Sequence, residues 1–485
     1  MAARTGAQYL AGLRDGREVW LDGERVADVT SHPALAGAAR SLAGLFDLQL
    51  EQPNRCLTPN PDGSGPMNVS HIIPRSYDDL MRRHAGIEAV AERTIGLMGR
   101  SPDYVNVTLA GFAGRSDLWS INGNDEGAAN LVAYHQEVAG RDLCLTHALI
   151  NQQVDKAVPE HLTGDGEIVL HKVADTANGI LVQGVRALAT LAPFSDEMFV
   201  YPGQPIAADA EPYALTFAIP MDTPGLKILC RDSFSAPSNQ YDHPFSSRFD
   251  EQDAVVIFDN VEVPRHRVFI DGDPRIYNSV MRKDWAANIL QQTTLRAAVK
   301  LEFAYELATR MVEVINGANP QSNELLGELW SYAALTRAAL RAAEADARDW
   351  GNGVWFCDDA PLRAIRPTLP RWFPRANEII KLLGAHSLLA TPTAAELANP
   401  MLRPLIDRYY QGANGVDASE RIKVFRAAWD FVGTALAGRN ELYERFYLAS
   451  AARNYQIAHA VEQDRRKGAP HPLLDQVLAG EEAAI

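Results

Sequence analysis

The chain has 485 residues, of which 47% are hydrophobic and 22% charged, as in a globular protein with more than one packed unit. Its formal net charge of −15 argues against nucleic acid or an anionic membrane as a partner, because either would favour a basic surface. The first twenty residues mix charged and apolar side chains, and no apolar run reaches membrane-spanning length, so we expect a cytoplasmic protein.

Hydrophobic periodicity divides the chain into three segments. Up to about residue 140, apolar residues recur at helical spacing. From about 165 to 270 the period changes to two, and Asn178-Gly179 predicts a hairpin between two of the strands. Helical spacing then returns in four long stretches, at 284–316, 323–350, 374–390 and 419–467. This order predicts an α+β protein with a mainly helical N-terminal domain (1–145), a middle β domain (146–275) and a C-terminal helical bundle (276–485).

Several common catalytic motifs are absent from the sequence. No GxGxxG turn follows a strand, and there is no Walker A loop, GxSxG elbow or HExxH pair. The twelve histidines form no close pair, and Cys56, Cys144, Cys230 and Cys357 form no CxxC pair. We therefore expect neither a metal site nor a dense disulfide framework.

The most informative stretch begins at Arg100. Ser101 is a favourable N-cap, Pro102 suits the first helical position and Asp103 suits the first turn, so a helix is expected to start here. Arg100 and Tyr104 would then lie beside the free N–H groups of that helix end. Together they could stabilise an anionic oxygen such as a phenolate. The alternative is a well-capped helix with a surface arginine and a half-buried tyrosine.

A second candidate is His147, which stands among apolar residues. Such a histidine is either a catalytic group or a hydrogen-bonded structural residue. The polar stretch 151–156 follows at once, and it either holds the polar edge of a cofactor or solvates a turn. Neither stretch is decisive alone.

Taken together, these stretches resemble the 4-hydroxyphenylacetate 3-hydroxylase family of flavin-dependent phenol oxygenases. The resemblance covers almost the whole chain and rests on the order of many short motifs. They lie at 4–10, 32–33, 99–104, 146–149, 241–251, 258–264, 411–412, 420–430 and 438–447.

The resemblance implies an acyl-CoA-dehydrogenase-like fold, with a β-barrel as the middle domain and a substrate lid at 203–211. It implies a monooxygenase that converts a phenol to a catechol through a flavin C4a-hydroperoxide, with oxygen as co-substrate. The reduced flavin, FADH2, would come from a separate NAD(P)H-dependent reductase, and the enzyme would be a homotetramer.

The resemblance also assigns site residues. Arg100, Tyr104 and His147 would bind the phenolic oxygen. The implied FAD contacts are His147, Ala148, Leu149, Gln153, Val154, Asp155, Lys156, Thr190, Ser450, Ala451, Ala452 and Arg453. Two departures weaken these contacts. Gln152 and Lys156 replace a proline and an arginine of the usual flavin loop, and 450–453 is poorer in Gly and Asp than its relatives.

Other functions remain open on the sequence. A dehydratase on the same scaffold would carry an iron–sulfur cluster on three cysteines and one histidine, and an acyl-CoA dehydrogenase would need a catalytic glutamate. A helical interaction scaffold without catalysis would bind no flavin. The phenolic substrate is also open: a hydroxyphenylacetate, a tyrosine derivative, a coumarate-like acid and a larger natural product all fit. Further pocket residues are expected at 285–292.

Overall fold

In this computed structural model, the structure describes residues 3–61, 63, 65–236, 239–282, 284–447, 449–468 and 471–481. The helices are α1 (Gly6–Gly12), α2 (Ala36–Glu51), α3 (Pro53–Cys56), α4 (Tyr77–Thr94), α5 (Pro102–Gly114), α6 (Asp125–Arg141), α7 (Pro274–Val280), α8 (Trp285–Val314), α9 (Pro320–Ala345), α10 (Asp359–Ile365), α11 (Leu369–Gly384), α12 (Ala394–Ala398), α13 (Arg403–Tyr409), α14 (Ala418–Val432), α15 (Ala435–Phe446), α16 (Ala451–Arg465) and α17 (Pro472–Glu481).

The strands are β1 (Glu18–Leu21), β2 (Glu24–Val26), β3 (Leu57–Pro59), β4 (Pro66–Asn68), β5 (Leu145–Ala148), β6 (His171–Asp175), β7 (Gly179–Thr190), β8 (Glu197–Val200), β9 (Leu215–Pro220), β10 (Leu226–Cys230), β11 (Asp253–Pro264), β12 (Val268–Asp271), β13 (Arg348–Asp349) and β14 (Trp355–Phe356). The predicted hairpin at Asn178-Gly179 joins β6 to β7, which pair antiparallel. Two larger sheets follow, with strand orders β2-β1-β10-β11-β7-β6 and β12-β9-β8-β5, and the short pairs β3-β4 and β13-β14 stand apart.

The expected closed β-barrel is wrong, because both larger sheets are open among the described residues. One reason lies at the edges of the six-stranded sheet. At one edge, β6 buries only His171 and turns its last residues to solvent. At the other edge, β1 and β2 come from the N-terminal segment, and β1 pairs parallel with β10. The expected boundary at 145/146 falls inside β5, which joins the four-stranded sheet. The domain limits stay predictions.

The long helix α8 forms the centre of the helical part. Its residues 286–301 are buried throughout, and it packs against α4, α5, α9 and α11. The sequence predicted this helix almost to its ends. The predicted continuous stretch at 419–467 is wrong, because Thr434 and Ser450 start new helices by accepting hydrogen bonds from the N–H groups of Ala437 and Arg453. No helix within the described ranges is both long enough and apolar enough to cross a bilayer.

Candidate active site

The start of α5 places the first two predicted site residues. Pro102 occupies the first helical position, and the N–H of Tyr104 donates to the carbonyl of Ser101 (2.9 Å). The helix therefore begins where the sequence predicted, although the Ser101 side chain does not cap it. Arg100 is only 8% exposed and Tyr104 only 1%. The alternative of a surface arginine with a half-buried tyrosine is wrong.

The Arg100 guanidinium lies between two aromatic rings. Its carbon is 4.0 Å from the ring centre of Tyr104 and 4.2 Å from that of Tyr447. Nη2 donates to the Tyr447 carbonyl (3.3 Å), whereas Nη1 is buried and has no hydrogen-bond partner among the described residues. Burial opposes the charge, but the coulombic interaction with Tyr104 and nearby tyrosines outweighs it and raises the pKa of Arg100. The site therefore holds a permanent cation with a free donor.

His147 completes the predicted catalytic trio. It lies on β5, and its ring centre is 5.5 Å from that of Tyr104 and 5.8 Å from that of Tyr201. Burial, and then the charge of Arg100, lower the pKa of His147 well below its ordinary value, so the imidazole is neutral. Its Nδ1 is buried without a hydrogen-bond partner in the described part of the chain.

Sequence reasoning missed the aromatic residues that enclose this trio. Tyr201 is fully buried directly after β8, and Tyr447 follows α15, where its hydroxyl donates to the Gly99 carbonyl (2.7 Å). Tyr443 packs against Tyr447 with ring centres 5.2 Å apart. The tyrosines at 443 and 447 are four residues apart, which places them on one helical face. The sequence shows this four-residue spacing, but the spacing does not indicate that either ring lies near Arg100.

A buried network of ion pairs is hydrogen-bonded to the backbone of Arg100. The Arg100 N–H donates to Oε1 of Glu251 (2.6 Å), and Oε2 of Glu251 accepts from Nη1 of Arg439 (2.8 Å). Arg439, on α15, also binds Asp253 through Nε–Oδ2 (2.9 Å) and Nη2–Oδ1 (2.7 Å). Burial alone would raise the pKa of Asp253, but the charge and hydrogen bonds of Arg439 lower it below its ordinary value. The Asp253 carboxylate therefore remains ionised.

The same network reaches the predicted flavin contact Thr190. Its hydroxyl donates to Oδ1 of Asp253 (2.7 Å), and its carbonyl accepts from the Thr146 hydroxyl (2.7 Å). Thr190 is only 2% exposed, at the end of β7. Arg100 and Thr190, one implied phenol contact and one implied flavin contact, thus belong to the same hydrogen-bonded network.

The predicted flavin loop lines a separate open cavity of about 390 Å³. Gln153, Asp155 and Lys156 contribute to its wall, together with Gln204 and Ile206 of the predicted lid. Other predicted contacts are placed differently. Val154 is 58% exposed and does not line the cavity, and Ala148 is buried in β5 just before Leu149.

The predicted lid at 203–211 contacts the rest of the protein at two points. The Ile206 N–H donates to Oδ1 of Asn278, and Nδ2 of Asn278 donates back to the Ile206 carbonyl (both 2.9 Å). Closer to its start, a Cβ on Gly203 would lie 2.3 Å from the Leu149 carbonyl oxygen. Only glycine therefore allows the lid to lie against the residue that follows β5.

The predicted C-terminal contact residues do not line the cavity. Ser450 precedes α16, Ala451 and Ala452 begin it, and Arg453 is exposed in its first turn. The N–H groups of Ala451 and Ala452 lie at this helix N-terminus, which favours negative charge, whereas the Arg453 N–H donates to the Ser450 hydroxyl. The expected pocket stretch 285–292 lies in α8, where Gln292 donates from Nε2 to Oδ2 of Asp103 (2.9 Å).

The metal-ligating residue types are dispersed. Within the described ranges, no group of three or more His, Cys, Asp or Glu side chains is placed to hold a metal ion. Cys56, Cys144, Cys230 and Cys357 belong to different parts of the fold and are not disulfide-bonded. Burial raises the pKa of Cys144 to about 12 and that of Cys56 to about 11, which keeps both thiols protonated at neutral pH.

Comparison with known proteins gives consistent matches over most of the chain. Two family models, "4-hydroxyphenylacetate 3-hydroxylase N terminal" and "4-hydroxyphenylacetate 3-hydroxylase C terminal", match residues 5–270 and 280–468. The 4-hydroxyphenylacetate 3-monooxygenase oxygenase component of Thermus thermophilus is 36% identical over 463 residues, which cover 95% of this chain and 94% of that protein.

Solved structures give the same picture. The oxygenase component of a 4-hydroxyphenylacetate 3-monooxygenase, solved with FAD and 4-hydroxyphenylacetate, matches with a TM-score of 0.92 at 34% identity, over 98% of this chain and 99% of that one. An archaeal 4-hydroxybutyryl-CoA dehydratase matches with a TM-score of 0.87 at 17% identity, over 99% of this chain and 95% of that one. The latter likeness concerns the fold alone. The predicted acyl-CoA-dehydrogenase-like fold is confirmed.

Proposed function

Because the chain belongs to the 4-hydroxyphenylacetate 3-hydroxylase family, we propose that it uses reduced FAD and oxygen to hydroxylate a phenol next to its hydroxyl group. The observation that carries this proposal is the buried Arg100, whose Nη1 is unpartnered beside Tyr104 and a neutral His147. A buried cation with a free donor suits an anionic oxygen. A phenol ionises only near pH ~10, so its anion needs such stabilisation at neutral pH.

The chain's own residues divide the work on the phenol. Arg100 and the Tyr104 hydroxyl bind the phenolate oxygen and orient the ring. His147 is neutral and its Nδ1 is unpartnered, so the imidazole is a third group that can hydrogen-bond to the phenolic oxygen. Ionisation makes the ring carbon next to the oxygen strongly nucleophilic. A purely structural helical scaffold would bury this set of charged and polar groups without any functional gain.

The residues present also fit a flavin. The 390 Å³ cavity lies within the ~300–1,000 Å³ range of small-molecule sites, and it carries the amide of Gln153 and the cation of Lys156. The N-terminus of α16 offers N–H groups suited to a phosphate. Bound FAD in its reduced form supplies the activation of oxygen. Closure of the lid at 203–211 would exclude water from the site, which limits wasteful release of hydrogen peroxide.

The partners follow from the same proposal. A separate NAD(P)H-dependent reductase supplies reduced flavin, in line with the missing GxGxxG turn. The purified chain should therefore bind reduced FAD more tightly than oxidised FAD and should not consume NADH alone. Rapid NADH oxidation by the isolated protein would contradict this. A cytoplasmic location stays a prediction from the sequence.

We also propose that the chain assembles as a homotetramer. The C-terminal half exposes many large apolar side chains, which contacts between subunits would cover. They include Trp330, Leu335, Leu382, Leu389, Met401, Leu405, Tyr409, Leu442 and Phe446, each more than half exposed. Light scattering at micromolar concentration should give four times the chain mass. A monomer that still binds flavin would contradict the proposal.

The decisive experiment changes the three residues around the phenolic oxygen. With reduced flavin from a generic reductase, Arg100→Ala, Tyr104→Phe and His147→Ala should each lower catechol formation about a hundredfold or more. Tyr104→Phe should still consume oxygen and release peroxide, because it leaves the flavin contacts intact. His147→Ala is less clean, because His147 is also an implied flavin contact.

The control is Tyr9→Phe, which removes a buried hydroxyl whose hydrogen bond goes to the Phe194 carbonyl and not to Arg100, Tyr104 or His147. It should form catechol like the wild type. Near wild-type catechol yields from Arg100→Ala and Tyr104→Phe would show that the site assignment is wrong.

A further inference from the structure

The cavity beside the predicted flavin loop contains a buried arginine that the proposed function does not use. Arg186 lies on β7, is only 1% exposed and forms part of the cavity wall. Its Nη1 donates to Oδ1 of Asn151. Its Nε is buried without a partner, and neither Nε nor Nη2 makes a hydrogen bond to any residue that the structure describes.

Arg186 also lacks an ion pair within the described part of the chain. Three other buried arginines have partners for most of their donors: Arg83 is held by the side-chain amides of Gln291 and Asn288, and two more are ion-paired. Arg296 binds Glu444 at 2.8 Å, and Arg439 binds Asp253 at 2.7 Å. A buried cation without a counter-charge is costly, so such a group is normally paired or neutralised. Arg186 faces a cavity large enough for a small molecule, so the missing counter-charge can come from a ligand.

Asn151 sets the orientation of this guanidinium. Its Oδ1 accepts from Arg186, and its Nδ2 donates to Oε2 of Glu160 (2.6 Å). The Asn151 side-chain amide thus accepts from Nη1 of Arg186 and donates to Glu160. The Glu160 carboxylate itself is not within ion-pair distance of Arg186. The donors left over are Nε and Nη2, which point in parallel from one edge of the guanidinium. That edge matches the two oxygens of a carboxylate or of a phosphate.

We propose that Arg186 binds a pair of anionic oxygens on the ligand that fills this cavity. The proposal rests on the proposed function, because the ligand is either the phenolic substrate or the flavin. A carboxylate on a phenolic acid and a phosphate of FAD present the same chemistry to the guanidinium. In the first case Arg186 selects phenolic acids over neutral phenols, and in the second it anchors the cofactor.

Equilibrium binding distinguishes the two sources. In the first arm, anaerobic titration measures the Kd of reduced FAD for the wild type, Arg186→Met and Arg186→Lys. In the second arm, calorimetry at saturating reduced FAD without oxygen measures the Kd of 4-hydroxyphenylacetate and of the neutral 4-ethylphenol. Loss of a bidentate pair should raise one Kd about tenfold to a hundredfold. Arg186→Lys should recover part of that loss, because it keeps the charge but not the planar edge.

The outcomes separate cleanly. If Arg186→Met weakens the binding of 4-hydroxyphenylacetate but not that of 4-ethylphenol or FAD, Arg186 binds the substrate carboxylate. If it weakens the binding of FAD, Arg186 binds a phosphate of the cofactor. Unchanged affinity for FAD and for both phenols in Arg186→Met overturns the proposal, as does equal weakening of both phenols with FAD unchanged. Arg275→Met is the control, because Arg275 on α7 has a side chain that is 76% exposed. If Arg186→Met does not fold, Arg186→Lys alone decides, and wild-type affinity in every titration then overturns the proposal.

Neither arm needs turnover, so the result stands apart from the proposed function. Catechol formation by the wild type judges that function separately. A wild type that binds these ligands through Arg186 but forms no catechol would retain the anion site and contradict the hydroxylation.

Discussion

Asp103→Asn should stabilise the protein at neutral and alkaline pH. Asp103 lies in the first turn of α5, where a helix N-terminus favours a carboxylate, yet it is only 5% exposed. Burial is the larger effect. It raises the pKa of Asp103 to about 6, although hydrogen bonds from Ser101 and Gln292 and the charge of Arg296 act to lower it. Ionising this carboxyl in the folded protein therefore costs free energy.

The size and sign of the effect follow from that pKa. A carboxyl whose pKa rises from ~3.9 to about 6 costs roughly 3 kcal/mol of folding free energy once it is fully ionised. The cost is absent below pH ~4, grows as the pH rises through about 6 and is complete above it. For 485 residues the unfolding entropy is about 1 kcal/mol per kelvin, so Asp103→Asn should raise the Tm by about 3 °C at pH 8 and by little at pH 4.

Differential scanning fluorimetry of the wild type and Asp103→Asn from pH 4 to pH 8 measures this difference. Asparagine can still accept the hydrogen bond from Gln292, so packing is preserved. The control is Asp125→Asn, which changes an exposed aspartate in the first turn of α6 and should give no gain that grows with pH. A Tm difference for Asp103→Asn that is negative at pH 8, or equal at both ends of the range, would refute the reasoning.

Two further substitutions test the surroundings of Arg100. Arg439→Met leaves the buried Glu251 without a counter-charge and Asp253 with Arg231 alone, so the unfolding free energy should fall by about 3–5 kcal/mol, seen as a Tm lower by several degrees. Gly99→Ala places a Cβ 2.4 Å from a ring carbon of Tyr443, so the ring must move and both the Tm and the catechol yield should drop.

Each substitution has a matched control in α15. Arg445→Met removes an arginine whose side chain is 48% exposed, and Gly438→Ala adds a Cβ that meets nothing within 4 Å. Both should leave the Tm within about a degree of the wild type or raise it slightly. If Arg439→Met behaves like Arg445→Met, the buried network does not carry the stability assigned to it.

Local signals in the sequence predicted the local structure well. Asn178-Gly179 marked a hairpin because those residues adopt its turn at low cost, and Pro102 marked a helix start because its missing N–H is not needed there. Overlooked signals were of the same kind. Asp22-Gly23 joins β1 to β2. Thr434 is also a favourable N-cap residue that marks the start of a new helix. The helical spacing on both sides of it made the two helices look like one.

The site was predictable only in part. Its three central residues came from family motifs, and the structure brings them together. The groups that position them are Glu251, Arg439, Tyr201, Tyr443 and Tyr447, and sequence reasoning gave none of them a role. Most of their contacts join segments that are more than a hundred residues apart, so no local pattern encodes them. Arg186 was missed for a related reason: only the packed fold shows that it has no counter-charge.

The contact between Arg100 and Tyr447 spans 347 residues. During synthesis, the ribosome releases the N-terminal segment long before the residues that cover its arginine exist. Arg100 and the N-terminal groups around it therefore stay partly exposed to solvent until α15 has left the exit tunnel. Contacts of such long sequence separation form slowly, and exposed apolar surface in the meantime invites aggregation. A chain that stops before α15 would consequently be a target for chaperones and proteases rather than a slow enzyme.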